Sequence, residues 1–146
     1  NGYADRVELA STVPGDAPSV VVVDLKTGRT KPSGPAVREH VQLALYQYAV
    51  DAGALDRPDE DLVGLTSGGA ELVQLGLEDG TLQATSQQQE AHAPDGPERA
   101  ALRARIGGVA RLLREESFPA AAGEHCRDCG FVPLCPVRSP GSVVER

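Results

Sequence analysis

The chain is poor in aromatics: no Trp, two Phe and three Tyr in 146 residues. It therefore has little of the ring surface on which unstacked single-stranded bases are held. It also lacks any apolar run approaching the roughly 18 to 20 residues that cross a bilayer, which excludes a membrane-spanning helix and predicts a soluble protein. No basic start with a following apolar stretch of signal-peptide type is present, and the first residue is Asn1, so the sequence reads as a piece of a larger protein. Cations are in deficit, with 14 Lys and Arg against 21 Asp and Glu and a formal charge of -7. That balance argues against a bulk nucleic-acid-binding module, because phosphate binding draws mainly on Lys and Arg. An enzyme acting on DNA stays open, since carboxylates that hold metal count as negative while the cations they bind are not in the tally. Cysteine is confined to positions 126, 129 and 135. An odd, clustered count does not suit a secreted disulfide framework and points to a reducing cytoplasm.

What is present predicts one domain with appendages. "GYADRVELA" at 2–10 and "SVVVVDLKTG" at 19–28 flank the turn chemistry of "VPGDAP" at 13–18, which predicts a hairpin. The unbroken Val run predicts a strand buried on both faces and central in its sheet. From Ala36 to Ala52 apolar residues at 37, 41, 45 and 49 mark one helix stripe, with Gly53 placed to cap its end. "GAELVQLG" at 69–76 predicts a third strand, with Val73, Leu75 and Leu77 keeping period two. The stretch 78–97 is too polar to bury and reads as a loop, with a short strand near Thr81 to Thr85. Pro97 suits the first turn of a helix running to about Glu116, with Leu102, Ile106, Val109 or Ala110 and Leu113 on one face. The Arg residues of that helix (99, 103, 105, 111 and 114) outnumber its acids. They form either a phosphate-contacting face or an ordinary solvated one.

The chemistry centres on "VVVDLKTG", 21–28. If the first two strands pair, Asp5 on one and Asp24 near the end of the other converge. A hard cation such as magnesium takes a few protein oxygens and keeps waters for the rest of its octahedron, so these two carboxylates and the Leu25 carbonyl would suffice. Such a cation activates water as a nucleophile and polarises a phosphoryl oxygen. Lys26 shares a strand face with Asp24 and can orient that water or offset phosphate charge. Gln42 and Tyr46, four apart, share a helix face and can hold a phosphate, sugar or base edge beside the metal, although Tyr46 also fits a half-buried core position. "HCRDCGFVPLCP", 125–136, carries C-x2-C-x5-C. Three thiolates at that spacing can face one soft metal; zinc would need His125 or His92 as a fourth ligand, and His125 adjoins Cys126 awkwardly for a tetrahedral site.

"GYADRVE", "VVVDLKTG" and "HVQLALYQYA", in this order, resemble the successive motifs of the RecB-type nuclease domain of the PD-(D/E)XK superfamily, in particular the C-terminal nuclease domains of AddB and AdnA/AdnB helicase-nucleases. The resemblance implies an α/β fold, a restriction-endonuclease-like central mixed sheet flanked by helices, with a nuclease core over 1–118 and a Cys-rich tail over 119–146. It implies a Mg- or Mn-dependent deoxyribonuclease, an exonuclease of double-strand-break repair, partnered by DNA and by a helicase domain or subunit. Asp5 and Asp24 would be metal-binding acids, Lys26 the catalytic lysine, and Gln42 and Tyr46 the Q-x-x-x-Y motif. Arg6 and Glu8 match the usual neighbours of the first acid, and His40 could approach substrate from the helix start. An earlier helix of the family supplies a further metal ligand, expected upstream of Asn1, without which the piece would bind metal weakly. A subset of the family carries a 4Fe-4S cluster on one upstream Cys and three C-terminal ones. Cys126, Cys129 and Cys135 would be those three, tying the chain's ends together without a redox role. The alternatives are a non-catalytic scaffold on the same fold, or a zinc-binding interaction module.

Overall fold

The Val run does form the central strand. The computed structural model describes residues 3–10, 18–60, 62–76 and 84–137. Among them β1 (Arg6–Leu9), β2 (Ser19–Lys26), β3 (Thr66–Gln74) and β4 (Thr85–Gln89) make one sheet in the order β1-β2-β3-β4. β1 runs antiparallel to β2, β2 parallel to β3, and β3 antiparallel to β4, a mixed sheet as expected. The turn expected between β1 and β2 lies outside the described residues, but the pairing Arg6↔Val23 through Leu9↔Val20 is that of the expected hairpin.

A parallel step needs a crossover, and β2 reaches β3 through two helices, α1 (Gly34–Arg38) and α2 (Val41–Asp51). Ser33 caps α1, accepting the Ala36 N–H on Oγ at 3.3 Å, with Pro35 in the first turn. The sequence reading of one helix over 36–52 is corrected here. The chain breaks at Glu39 and His40, where His40 is extended (φ -69, ψ 110) and starts α2. The stripe is corrected too, because Leu45 is exposed and the buried side of α2 is Leu43, Ala44, Gln47 and Val50. Gly53 ends α2 as expected: its N–H donates to the Val50 carbonyl and the Ala54 N–H to that of Ala49, the paired bonds of a Schellman close.

Alternation then sorts the sheet into two faces. Val20 and Val22 pack with Val50 and Leu65, while Ala70 and Leu72 pack with Val37 and Leu43, and Tyr46 touches both groups. This is the helix-covered face, and Asp24 and Lys26 continue it along β2. In β3 the buried phase is Ala70, Leu72 and Gln74, opposite to the expected Val73 and Leu75; Leu77 lies outside the described residues. An irregularity between Val20 and Val22 inserts an extra β3 residue at Gly68–Gly69 and shifts the phase. Gly69 sits at φ 110, and a Cβ there would lie 2.7 Å from the Gln89 carbonyl, so only glycine fits the bulge.

Residues 77–83 lie outside the described residues; within 78–97, read as a loop with a short strand near Thr81 to Thr85, the strand is β4 at Thr85–Gln89. Its alternate residues Gln87 and Gln89 face the helices and donate amide hydrogens to backbone: Gln87 to the Pro32 carbonyl, Gln89 to those of Val37, Arg38 and His40. A buried Gln is tolerated when its amide satisfies carbonyls that would otherwise be orphaned.

α3 (Pro97–Arg114) begins at Pro97 as expected. Of its anticipated apolar face only Leu102 is buried, whereas Ile106, Val109 and Leu113 stay exposed. Two compact units are distinguished, 1–105 and 106–146, with the boundary inside α3. The second unit holds the rest of α3 and two short 3-10 turns, Glu124–Asp128 and Val132–Leu134. No helix among the described residues is long and apolar enough to cross a membrane.

Candidate active site

β2 carries Asp24 and Lys26 to the end of the sheet on the helix-covered face, and α2 meets them with its first turns. Asp24 is 2 % exposed. Its Oδ1 accepts the Gln42 amide N–H at 2.8 Å and the Tyr46 hydroxyl at 3.3 Å. Its Oδ2 has the Lys26 ammonium at 2.6 Å and no other partner among the described residues. Lys26 Nζ in turn donates to Gln42 Oε1 at 3.0 Å, and the same Gln42 amide nitrogen lies 2.8 Å from the Tyr46 hydroxyl. The four side chains close a ring of polar contacts. Gln42 serves both charges, with its carbonyl on the cation and its amide on the anion.

Asp5 stands one strand over. The pairing Arg6↔Val23 places it beside Asp24, and its Oδ2 accepts the Leu25 N–H at 2.8 Å. An extended residue's N–H and C=O point to the same edge, so the Leu25 carbonyl faces the Asp5 side as well. Two carboxylates and one carbonyl thus occupy one end of the β1–β2 pair.

The cluster lies at the rim of the sheet, where β2 ends at Lys26.

The profile of the PD-(D/E)XK nuclease superfamily matches residues 1–136. The chain belongs to the PD-(D/E)XK nuclease superfamily. No curated protein gives a match. The superfamily is one of nucleases that generally use divalent metal ions and act on nucleic acid, and the mixed sheet with flanking helices is its α/β fold.

The donor set at the rim suits such an ion. Hard divalent cations take oxygen, and magnesium is commonly held by one or two carboxylates with water completing the shell. Asp24 Oδ2, buried with only a displaceable ammonium on it, and the second oxygen of Asp5 supply that chemistry. Among the described residues no three His, Cys, Asp or Glu side chains are grouped closely enough to enclose a metal. This is compatible with two acids plus a carbonyl at the rim, but it means the tail thiols are not gathered around a centre. Cys126 is buried and Cys129 and Cys135 are half-buried. Cys126 Sγ accepts the Gly123 N–H at 3.3 Å.

Other candidates fall away from the rim cluster. Glu8 pairs with Arg6 at 2.5 Å. His40 starts α2 and gives its carbonyl to Gln89. Arg99, one of the proposed phosphate-contacting arginines, is 1 % exposed and is paired with Asp51 inside the nuclease. What sequence reasoning missed is the set of glutamines, Gln47, Gln74, Gln87 and Gln89, that anchor the segments bearing the site. The alternating Gln of "TSQQQ" was the available signal.

Proposed function

We propose that this nuclease hydrolyses DNA phosphodiesters at the Asp24 rim, with magnesium or manganese, as the nuclease module of a cytoplasmic double-strand-break repair helicase-nuclease or a related exonuclease. The observation that carries the chemistry is the buried Asp24 carboxylate held between Lys26, Gln42 and Tyr46, with Asp5 one strand away. Asp24 Oδ2, Asp5 and the Leu25 carbonyl would hold the cation. When bound, it polarises a phosphoryl oxygen and lowers the pKa of water.

The remaining work belongs to side chains of this chain. Gln42 and Tyr46 fix Asp24 through Oδ1, leaving Oδ2 aimed at the rim. Lys26, half-exposed on a flexible stem, can turn from Asp24 toward a phosphate oxygen while Gln42 Oε1 keeps it in place. Its charge then stabilises the negative charge that builds up on the scissile phosphate. Tyr46 also reaches the Tyr3 carbonyl at 3.4 Å, steadying the chain just ahead of Asp5.

The helicase partner and the exonuclease mode of cutting rest on the motif resemblance of 2–8, 21–28 and 40–49 alone. For the tail, the C-x2-C-x5-C spacing supports a 4Fe-4S cluster, for which the chain's three Cys must be drawn together and joined by a fourth ligand. Iron with acid-labile sulfide in the purified full-length protein supports it, and stoichiometric zinc contradicts it. The catalytic proposal is tested by degradation of linear DNA with magnesium or manganese, with chelator, and with Asp24→Ala. Degradation only by the unmodified protein with metal is expected; equal degradation by the Asp24→Ala variant rules the assignment out.

A further inference from the structure

From Leu25 to Arg38 the chain reads "LKTGRTKPSGPAVR", four of its 14 cations and none of its 21 acids, within a protein of net charge -7. The first part of that segment is a loop directly continuous with Lys26, and its course is fixed by the sheet. The Leu75 N–H donates to the Lys26 carbonyl at 2.7 Å, where the loop leaves β2. At Gly76 a side chain is impossible, since a Cβ would come within 2.1 Å of the Thr27 carbonyl. Gln74 then donates to the Thr30 carbonyl at 3.1 Å and Gln87 to the Pro32 carbonyl at 3.0 Å.

These anchors give the loop a direction. Gln74 is registered with Lys26, and Gln87 with Leu72, so both project on the helix-covered face that bears Asp24. The loop therefore crosses the ends of β3 and β4 on the site's own face. Two inter-strand spacings amount to roughly 10 Å. That length matches the reach from the scissile phosphate to its neighbours on one nucleic-acid strand. Arg29 and Lys31 are exposed on it, and Lys31 has no ion-pair partner among the described residues. The Thr30 and Pro32 carbonyls are taken by glutamines while Arg29 and Lys31 stay exposed, which places two cations along the path of a polyanion.

We propose that Arg29 and Lys31 contact the phosphates neighbouring the scissile one, so that the loop 27–32 is a backbone track for the DNA strand being cut. This rests on the nuclease reading for its placement, but its test is separate. The experiment is binding of a labelled DNA duplex with a single-stranded extension to the full chain in chelator, read as affinity against salt between about 50 and 200 mM. Arg29→Ala/Lys31→Ala is expected to bind about tenfold more weakly and to flatten the log–log salt slope by about 1.4 to 1.8, two phosphate contacts' worth. The charge-keeping Arg29→Lys/Lys31→Arg keeps the slope. Lys31→Gln alone, which breaks no ion pair among the described residues, removes about half of the change and so guards against a folding defect through Arg29. An unaltered slope in Lys31→Gln and the double Ala variant overturns the track, as does tighter binding of RNA of the same sequence for its assignment to DNA. Metal-dependent hydrolysis of a small aryl phosphodiester by the unmodified protein reports the nuclease reading independently. Its absence beside a changed slope sinks that reading and leaves the track standing.

Discussion

α2 touches a buried carboxylate–cation pair at each end, and the two pairs are built oppositely. Toward its start, Asp24 is 2 % exposed while its partner Lys26 is 36 % exposed. At its last residue, Asp51 is 24 % exposed while its partner Arg99 is 2 % exposed. In the first pair the acid is fixed and the cation can leave. In the second the cation is fixed: Arg99 pairs with Asp51, donates to the His92 carbonyl, and lies 5.5 Å from the Tyr48 ring centroid. Asp51 has its other oxygen on the Ser67 N–H at 2.7 Å, so neither of its oxygens is left for a ligand. A planar guanidinium locked by several partners makes a structural joint, whereas an ammonium on a flexible stem leaves a buried charge available for chemistry.

That contrast can be broken in four graded ways. Arg99→Met leaves Asp51 without its cation and should cost about 3 to 5 kcal/mol in a urea or thermal melt. The cleavage rate per folded molecule should hold. Lys26→Met should lower metal-dependent cleavage per folded molecule on the order of 10² to 10³-fold, and because it leaves the buried Asp24 carboxylate without its cation its melt in chelator should fall as well. Tyr46→Phe keeps the ring in the core and removes one support of Asp24, so a smaller loss of about 10 to 100-fold in rate is expected from steady-state cleavage. The smallest effect belongs to His92 beside the Arg99 joint. Burial holds its imidazole below the ordinary 6.5, and Arg99 adds to this while Glu98 opposes it. The unfolded chain then takes up the proton first as pH falls. The stabilisation is complete above 6.5 and is lost below it, toward the lowered folded value. His92→Gln should flatten that part of the stability–pH curve, and an unchanged slope would remove His92 from the account.

Much of the rim was legible because its signals are local. Asp24 and Lys26 share a strand face by alternation, Gln42 and Tyr46 share a helix face by spacing, and the Val run marks its own burial. The break between α1 and α2 was not legible because its cause is remote: Gln89 takes the carbonyls of Val37, Arg38 and His40 from 49 to 52 residues away. The same amides explain why "TSQQQ" forms a strand although it looks too polar to bury. In β3 a glycine bulge shifted the alternation, so Leu75 is exposed and Gln74 buried. The apolar stripe of α2 misled because its inward side carries Gln42, Tyr46 and Gln47, polar groups whose burial depends on partners elsewhere in the chain.

The most direct measurement compares two variants of equal chemistry, Asp24→Asn and Asp51→Asn, in metal-dependent cleavage of linear DNA at equal concentrations of folded protein. The account predicts cleavage lowered by about 10³-fold or more in the first and retained in the second. Equal rates in the two would contradict it.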